Sequence, residues 1–220
     1  MDPAGKPARI LIVDDHPLIR EGLTARISHQ PGLVICGEAE DVSGALKCLR
    51  NQRPDVMIVD IALREGNGLD LVKQARALDP ELRMLVVSAY DETLYAERAL
   101  RAGALGYVSK QECCEKLIDA IRTILKGQRY ISPAVSERLV GLAIYGRGAG
   151  SGSPVENLTD RELEVFQLIG RGLRTGEIAR QLHLSSHTID SHREKLKLKL
   201  NLTSGTELNA RAVAWVLEHG

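Results

Sequence analysis

The 220-residue chain has little that would set it apart from an ordinary globular protein, and each shortage excludes something. Aromatic residues make up only 3% against an apolar share of 44%. The four cysteines, Cys36, Cys48, Cys113 and Cys114, form no C-x-x-C pair, and adjacent cysteines rarely bridge without strain. This removes a metal knuckle and a disulfide framework, and reduced thiols are expected. Cys36, in LVICG, reads as a small core residue, and the pair at 113 and 114 as partly exposed. Charge of one sign is also missing, since 29 basic residues balance 29 acidic ones. Even residues 158–220 hold 9 Lys/Arg against 8 Asp/Glu, so a nucleic-acid contact there must rest on local patches. No apolar run approaches the roughly 20 residues that cross a bilayer. The start, MDPAGKPARI, lacks the basic and then apolar order of a signal peptide. A cytoplasmic protein with no membrane partner is expected.

Against that background one run stands out, VMIVD, from Val56 to Asp60. Four consecutive apolar residues read as a strand buried on both faces, as in a parallel sheet. A carboxylate at the carboxyl end of such a strand lies where open α/β folds place ligands, although Asp also opens ordinary surface turns. Ile10 to Val13 is a similar run ending in Asp14 and Asp15, and LVICG (33–37), MLVVS (84–88) and LGYVSK (105–110) follow. Between them, apolar residues recur three or four apart over 18–27, 44–49, 69–78, 96–100 and 117–125, the helical period. Five β-α units imply an α/β domain with a parallel five-stranded sheet and right-handed crossovers covering both faces.

The polar residues that end the strands are Asp14 and Asp15, Asp60, Ser88 and Lys110. All fall on one sheet edge and can converge although they are spread along the chain. Three carboxylates packed together raise one another's pKa unless a cation shares the pocket. A hard divalent ion such as Mg²⁺, held by carboxylate, carbonyl and water oxygens, resolves that repulsion. Lys110 and the Ser88 hydroxyl then suit an incoming phosphoryl group, one as a charge and one as a donor.

Over residues 8–128 the sequence resembles a response-regulator receiver domain, through ILIVDDHP, VMIVDIALREGNGLD, VVSAY and GALGYVSK. The resemblance implies a flavodoxin-like (βα)5 fold with Asp60 as phosphoacceptor. It also implies Mg²⁺ among Asp14, Asp15, Asp60 and the Ala62 carbonyl, Lys110 on the phosphoryl group, and Ser88 and Tyr107 as switch residues. Gly68 falls eight after Asp60, where the family usually has glycine. Arg64 stands where proline is frequent, which points to a more mobile loop, and Gln111 stands where proline often follows the lysine. New phosphate oxygens would draw in Ser88 and leave room for Tyr107 to rotate toward the core. Plain packing is the alternative for Tyr107.

Residues 129–157 read as a linker. Ser132 and Pro133 open a helix over ISPAVSERLVGLAIY, and GRGAGSGSPVEN is a flexible tether with a domain boundary near Gly150. From Leu158 the text changes to short helices. Thr159 and Glu162 form a capping box ahead of an inward stripe of Leu163, Phe166 and Ile169, and Gly170 and Gly172 end that helix. Thr175 opens a second short helix, and Ser185 caps a third over 186–200. Helix, tight turn and helix read as a helix-turn-helix whose second member lies in the major groove. At 100° per residue, Ile189, Leu196 and Leu200 share one side, while Asp190, Ser191, Glu194, Lys195 and Lys197 fall away from it. For charged residues alone a solvated face is the bland reading. The last helix, 204–219, lines up Leu208, Ala212, Trp215 or Val216 and Val213. Part of it must pack on the third helix, and the rest is a candidate dimer surface, although the sequence alone allows a monomer.

This second half, residues 157–219, resembles the helix-turn-helix domain that closes the NarL/FixJ (LuxR-type) regulators, through LTDRELEVFQLIGRG and EIARQLHLSSHTIDSHREKLKLKL. The resemblance implies a small all-α domain of four helices at 158–220. It places Asp190, Ser191 and Glu194 at base edges, with Arg180, Thr188 and Lys195 as phosphate contacts and Ser185 and Lys197 beside them. Many relatives carry Lys or Val at the base-facing positions. Acidic groups instead accept from the cytosine amino group, so the DNA site should differ.

Together the two resemblances imply a transcriptional response regulator rather than an enzyme. Its expected partners are a sensor histidine kinase, double-stranded DNA, RNA polymerase and, once phosphorylated, a second copy of the chain. Two rivals remain at this point. A Mg²⁺-dependent phosphohydrolase with Asp60 as nucleophile would need a cap over the strand edge, and the loops are too short to build one. A regulator that ignores phosphate would keep its full response with Asp60→Asn.

Overall fold

The computed structural model describes residues 6–145, 154–182 and 184–219. The chain divides into two compact units, Met1–Arg138 and Leu139–Gly220. Helix α6 (Pro133–Tyr145) runs through the division, opened by Ser132, whose hydroxyl accepts from Val135 N at 3.3 Å. Most of the Gly/Ser tether expected at 146–157 lies outside the described residues, and its last four form a 3-10 turn, Pro154–Asn157.

In the first unit, β1 (Ala8–Val13), β2 (Leu33–Ala39), β3 (Val56–Val59), β4 (Arg83–Ser88) and β5 (Gly106–Ser109) make one parallel sheet in the order β2-β1-β3-β4-β5. The inner strands are the continuous apolar runs, and Ile10 to Val13 and Val56 to Val59 are all buried. Successive side chains point to opposite faces. Ile10, Ile12, Ile58, Leu85 and Val87 therefore pack with Leu23 and Ile27 of α1 (Pro17–Ser28) and Leu117, Ile121 and Ile124 of α5 (Cys113–Leu125). Leu11, Met57, Val59, Met84 and Val86 are buried on the other face. Helices α2 (Val42–Gln52), α3 (Gly68–Leu78) and α4 (Glu92–Ala102) complete the alternation. Asp41, Asn67 and Asp91 cap them, each carboxylate or amide oxygen accepting a first-turn N–H. The Asp91 cap starts α4 four residues before the apolar period becomes visible at Ala96.

Strand order reverses between β1 and β3, and an open α/β sheet leaves its crevice beyond the carboxyl ends at such a point. Edge strand β2 is irregular, because Ile10 pairs with Ile35 and Leu11 with Gly37. Cys36 is thus the extra residue of a bulge and is half-buried rather than a core residue. Cys113 is buried, not partly exposed, while the side chain of Cys114 lies outside the described residues. The opposite edge, β5, is blunted by Tyr130, which accepts from Tyr107 N at 3.0 Å and donates to Leu105 O at 2.9 Å.

In the second unit α7 (Asp160–Gly170), α8 (Thr175–Gln181), α9 (Ser186–Leu200) and α10 (Gly205–His219) follow the 3-10 turn. Both bonds of the capping box form at the start of α7, Thr159 N to Glu162 Oε2 at 2.8 Å and Glu162 N to Thr159 Oγ1 at 3.3 Å. Helix α10 meets α9, where Arg193 Nη2 donates to Asn209 Oδ1 at 2.9 Å, and it also packs closely on α7. There the Phe166 and Trp215 rings sit 5.9 Å apart. Only glycine fits at 170, since a Cβ would lie 2.4 Å from Ala212 O. Among the described residues no helix is long and apolar enough to cross a membrane.

Candidate functional site

The switch point gathers the strand-end residues. Asp14 directly follows β1 and Asp60 directly follows β3, and Asp60 N donates to Val13 O at 2.9 Å, so the two carboxylates leave the sheet side by side. Both are buried, 2% and 3% exposed. Lys110, just past β5, places Nζ 2.7 Å from Asp14 Oδ2 and 2.7 Å from Asp60 Oδ2. Its own N–H donates to Ser88 O at 2.8 Å, which ties the ends of β4 and β5 together. Burial pushes the Asp60 carboxyl above its ordinary range, and the charge of Asp14 adds to this, while Lys110 and the Ser88 hydroxyl pull it down without restoring it. Lys110 is pushed down by burial, but Asp60 and Asp14 outweigh that and hold its ammonium charged.

The pocket has the chemistry of a divalent-cation site. Ligand atoms of Asp14, Asp15, His16 and Asp60 all lie within 4.8 Å of one another. One lysine bridges Asp14 and Asp60, and among the described residues Asp60 Oδ1 is buried with no hydrogen-bond partner. Carboxylate oxygens are what Mg²⁺ prefers. His16 was not anticipated from sequence. Its Nδ1 lies 2.6 Å from Asp15 Oδ1 and 3.3 Å from Asp14 Oδ1, but a lone histidine after two acids carries no pattern that reveals such a contact. Ala62 is half-buried and bridges to Asn67 across the turn that leaves Asp60.

That turn is closed by Gly68, whose N–H donates to Ile61 O at 2.8 Å. A Cβ at Gly68 would lie 1.9 Å from Asp60 O, so the backbone that carries Asp60 rests directly on this glycine. Arg64, where a rigid proline was missing, reaches Glu40 at 3.5 Å, and Val42 N donates to Glu65 O at 3.3 Å. The contacts tether the turn to the segment after β2 and to the first residue of α2. Ser88 is buried and Tyr107 already points inward, 1% exposed, with its hydroxyl donating to Tyr90 O at 2.6 Å. Burial, and next the charge of Asp60, hold the Tyr107 phenol far above its ordinary pKa. The Tyr90 ring stacks on Tyr95 at 4.8 Å.

In the second unit, the inner side of α9 holds Ile189, Leu196 and Leu200, all buried. Asp190, Glu194 and Lys195 are exposed, and Thr188, Ser191 and Lys197 are half-buried. Lys197 Nζ pairs with Glu194 Oε1 at 2.9 Å, and Thr175 Oγ1 donates to Asp190 Oδ1 at 3.4 Å. Ser185 is occupied as the cap, its Oγ accepting from Thr188 N at 3.0 Å. Arg180 is exposed, with Nε on Gly176 O at 3.3 Å. Two further residues of α9 make notable contributions: Lys199 Nζ reaches Glu162 Oε2 at 2.6 Å, and His192 has a buried Nδ1 without a partner among the described residues. Burial raises Glu162, but Lys199 and the Thr159 N–H outweigh it and hold the carboxyl below its ordinary range.

Comparison with known proteins matches both halves. Residues 10–122 match the model of the response regulator receiver domain, and residues 156–212 that of the bacterial regulatory proteins of the luxR family. The chain is 32% identical over 205 residues to the response regulator GacA of Pseudomonas aeruginosa, covering 93% of this chain and 95% of that protein. It is 33% identical over 204 residues to the oxygen regulatory protein NreC of Staphylococcus carnosus, covering 91% and 94%. Among solved structures it is similar to RcsB of Salmonella enterica serovar Typhimurium bound to promoter rprA in the presence of phosphomimetic BeF3⁻. There the TM-score is 0.65 at 25% identity, over 92% of this chain and 96% of that one.

Proposed function

Because the chain belongs to the two-component response regulators of the NarL/FixJ class, a receiver followed by a LuxR-type helix-turn-helix domain, we propose that its switch is phosphorylation of Asp60 by a sensor histidine kinase. The observation that carries this reading is the Asp60 carboxylate itself: buried, with Lys110 on Oδ2 and the Asp14 and Asp15 carboxylates beside it. An Asp60 oxygen attacks the phosphorus of the donor as the bond from phosphorus to the donor's histidine nitrogen breaks, giving an acyl phosphate and a free imidazole. Lys110 meets the negative charge that spreads over the transferring oxygens. Asp14, Asp15, Asp60 and the Ala62 carbonyl would hold Mg²⁺, which when bound neutralises the same charge. The Ser88 hydroxyl and Tyr107 lie on the read-out side of the pocket.

The receiver spans 8–128, the linker 129–157 and the DNA-binding domain 158–220. Phosphorylation promotes a homodimer that sets α9 in the major groove of double-stranded DNA, with Asp190, Ser191 and Glu194 at base edges. Arg180, Ser185, Thr188, Lys195 and Lys197 lie toward the phosphates. The protein acts in the cytoplasm and adjusts transcription through RNA polymerase. The chemical half of this reading is tested by incubating the protein with acetyl phosphate and Mg²⁺ and mapping the label by intact and peptide mass. One phosphoryl group on Asp60, absent in Asp60→Asn, is expected, and an undiminished label in that variant would overturn it.

A further inference from the structure

We propose that α9 reads cytosine with Asp190, that Thr175 of α8 aims this carboxylate, and that Glu194 is a weaker second reader because Lys197 neutralises it. The inference rests on the DNA-binding reading above. The residues a helix-turn-helix presents to base edges lie toward the start of its second helix. On the exposed side of α9 that stretch carries two acids one turn apart, Asp190 and Glu194. Neighbours at that spacing share a face.

A carboxylate is an acceptor without a donor. Guanine offers two acceptors in the major groove, thymine an acceptor and a methyl, and adenine an acceptor beside its donor, whereas cytosine offers an amino donor alone. An acid at a base edge therefore favours cytosine and is repelled by the other three to differing degrees. The price is repulsion from phosphates, and the structure handles the two acids differently. Glu194 brings its own counter-charge, with Lys197 Nζ 2.9 Å from Oε1. The partner of Asp190 is instead the neutral Thr175 hydroxyl, 3.4 Å from Oδ1. That bond crosses from one helix of the motif to the other. It engages one oxygen and leaves Oδ2 to accept from a base.

The test is selection of bound sites from a random duplex pool by the full-length protein held active with beryllofluoride, followed by affinity measurements on single-base variants. The parent should select cytosine at one position of each half-site and lose about tenfold in affinity when it is replaced, within the usual range for one mismatched pair. Asp190→Asn should move that preference to adenine, since an amide pairs with adenine N6 and N7 together. Thr175→Val should flatten the preference while leaving affinity for mixed-sequence DNA within about twofold, because phosphate contacts are untouched. Glu194→Gln should have the smaller effect on base choice. Identical base preferences in the parent, Asp190→Asn and Thr175→Val would overturn the proposal while leaving DNA binding intact. Failure of the parent to retain any duplex would overturn the DNA-binding reading and this inference with it.

Discussion

Replacing Gly68 by alanine tests how Asp60 is positioned. The added Cβ would sit 1.9 Å from Asp60 O and 2.8 Å from both Asp60 C and Ile61 Cα. All three are backbone atoms, so no flexible side chain can yield. Restoring an ordinary contact requires the turn to open by more than about 1 Å, which also stretches the bond from Gly68 N to Ile61 O, now 2.8 Å. Overpacking at about 1 to 3 kcal/mol and a lost hydrogen bond at about 1 kcal/mol together cost about 2 to 4 kcal/mol. The functional loss is of similar size. A displacement of that size at a reacting group costs about a hundredfold in rate, because Asp60 moves relative to Lys110 and the neighbouring carboxylates. Urea unfolding followed by far-UV circular dichroism measures the first quantity, and initial phosphorylation by acetyl phosphate the second. A Gly68→Ala protein as stable as the parent and phosphorylated at the parent rate would refute this account of the turn.

Three further outcomes are expected. Gly170→Ala, whose Cβ would meet Ala212 O at 2.4 Å, should destabilise the second unit by about 2 kcal/mol. It should leave acetyl phosphate labelling unchanged, and Trp215, the only tryptophan, reports the loss by fluorescence. Glu162→Gln should cost about 1 kcal/mol at neutral pH, a figure discounted for the partial exposure of Lys199. Because the folded Glu162 pKa is depressed, this difference is present above the ordinary glutamate range and should vanish as pH falls through the folded value. Asp60 has the opposite sign. Its folded pKa is raised, so the native state holds the extra proton longer and stability falls as pH climbs from the ordinary aspartate range through the folded value. In Mg²⁺-free urea titrations Asp60→Asn should therefore gain on the parent across that window, and a variant less stable at every pH would contradict the burial argument.

The receiver was legible because its logic is local and repeated. Apolar runs long enough for buried strands end in Asp14, Asp60, Ser88 and Lys110, and the rule that such ends share one edge assembles them without any coordinates. Helix starts were legible where a cap accompanies the period, as at Thr159 and Ser185. They were late where the first turn is polar, as at Glu92, because periodicity sees only the buried face. Contacts between residues far apart or without a shared pattern were not legible. The bulge that lifts Cys36 out of the core depends on the register between β1 and β2. The bonds from Lys199 to Glu162 and from Thr175 to Asp190 join different helices, and His16 meets Asp15 only through the local turn. Charges on α9 could be assigned to a face but not paired, and the pairing is what separates Asp190 from Glu194.

The most direct test of the central claim is the affinity of the full-length protein for one of its selected duplexes, measured with and without beryllofluoride in Mg²⁺, alongside Asp60→Asn. Phosphoryl control of DNA binding predicts a rise of at least about tenfold for the parent, equivalent to ~1.4 kcal/mol of coupling, accompanied by dimer formation. It predicts no rise for Asp60→Asn. Equal affinities for the parent in both states, or an equal rise in the variant, would contradict it.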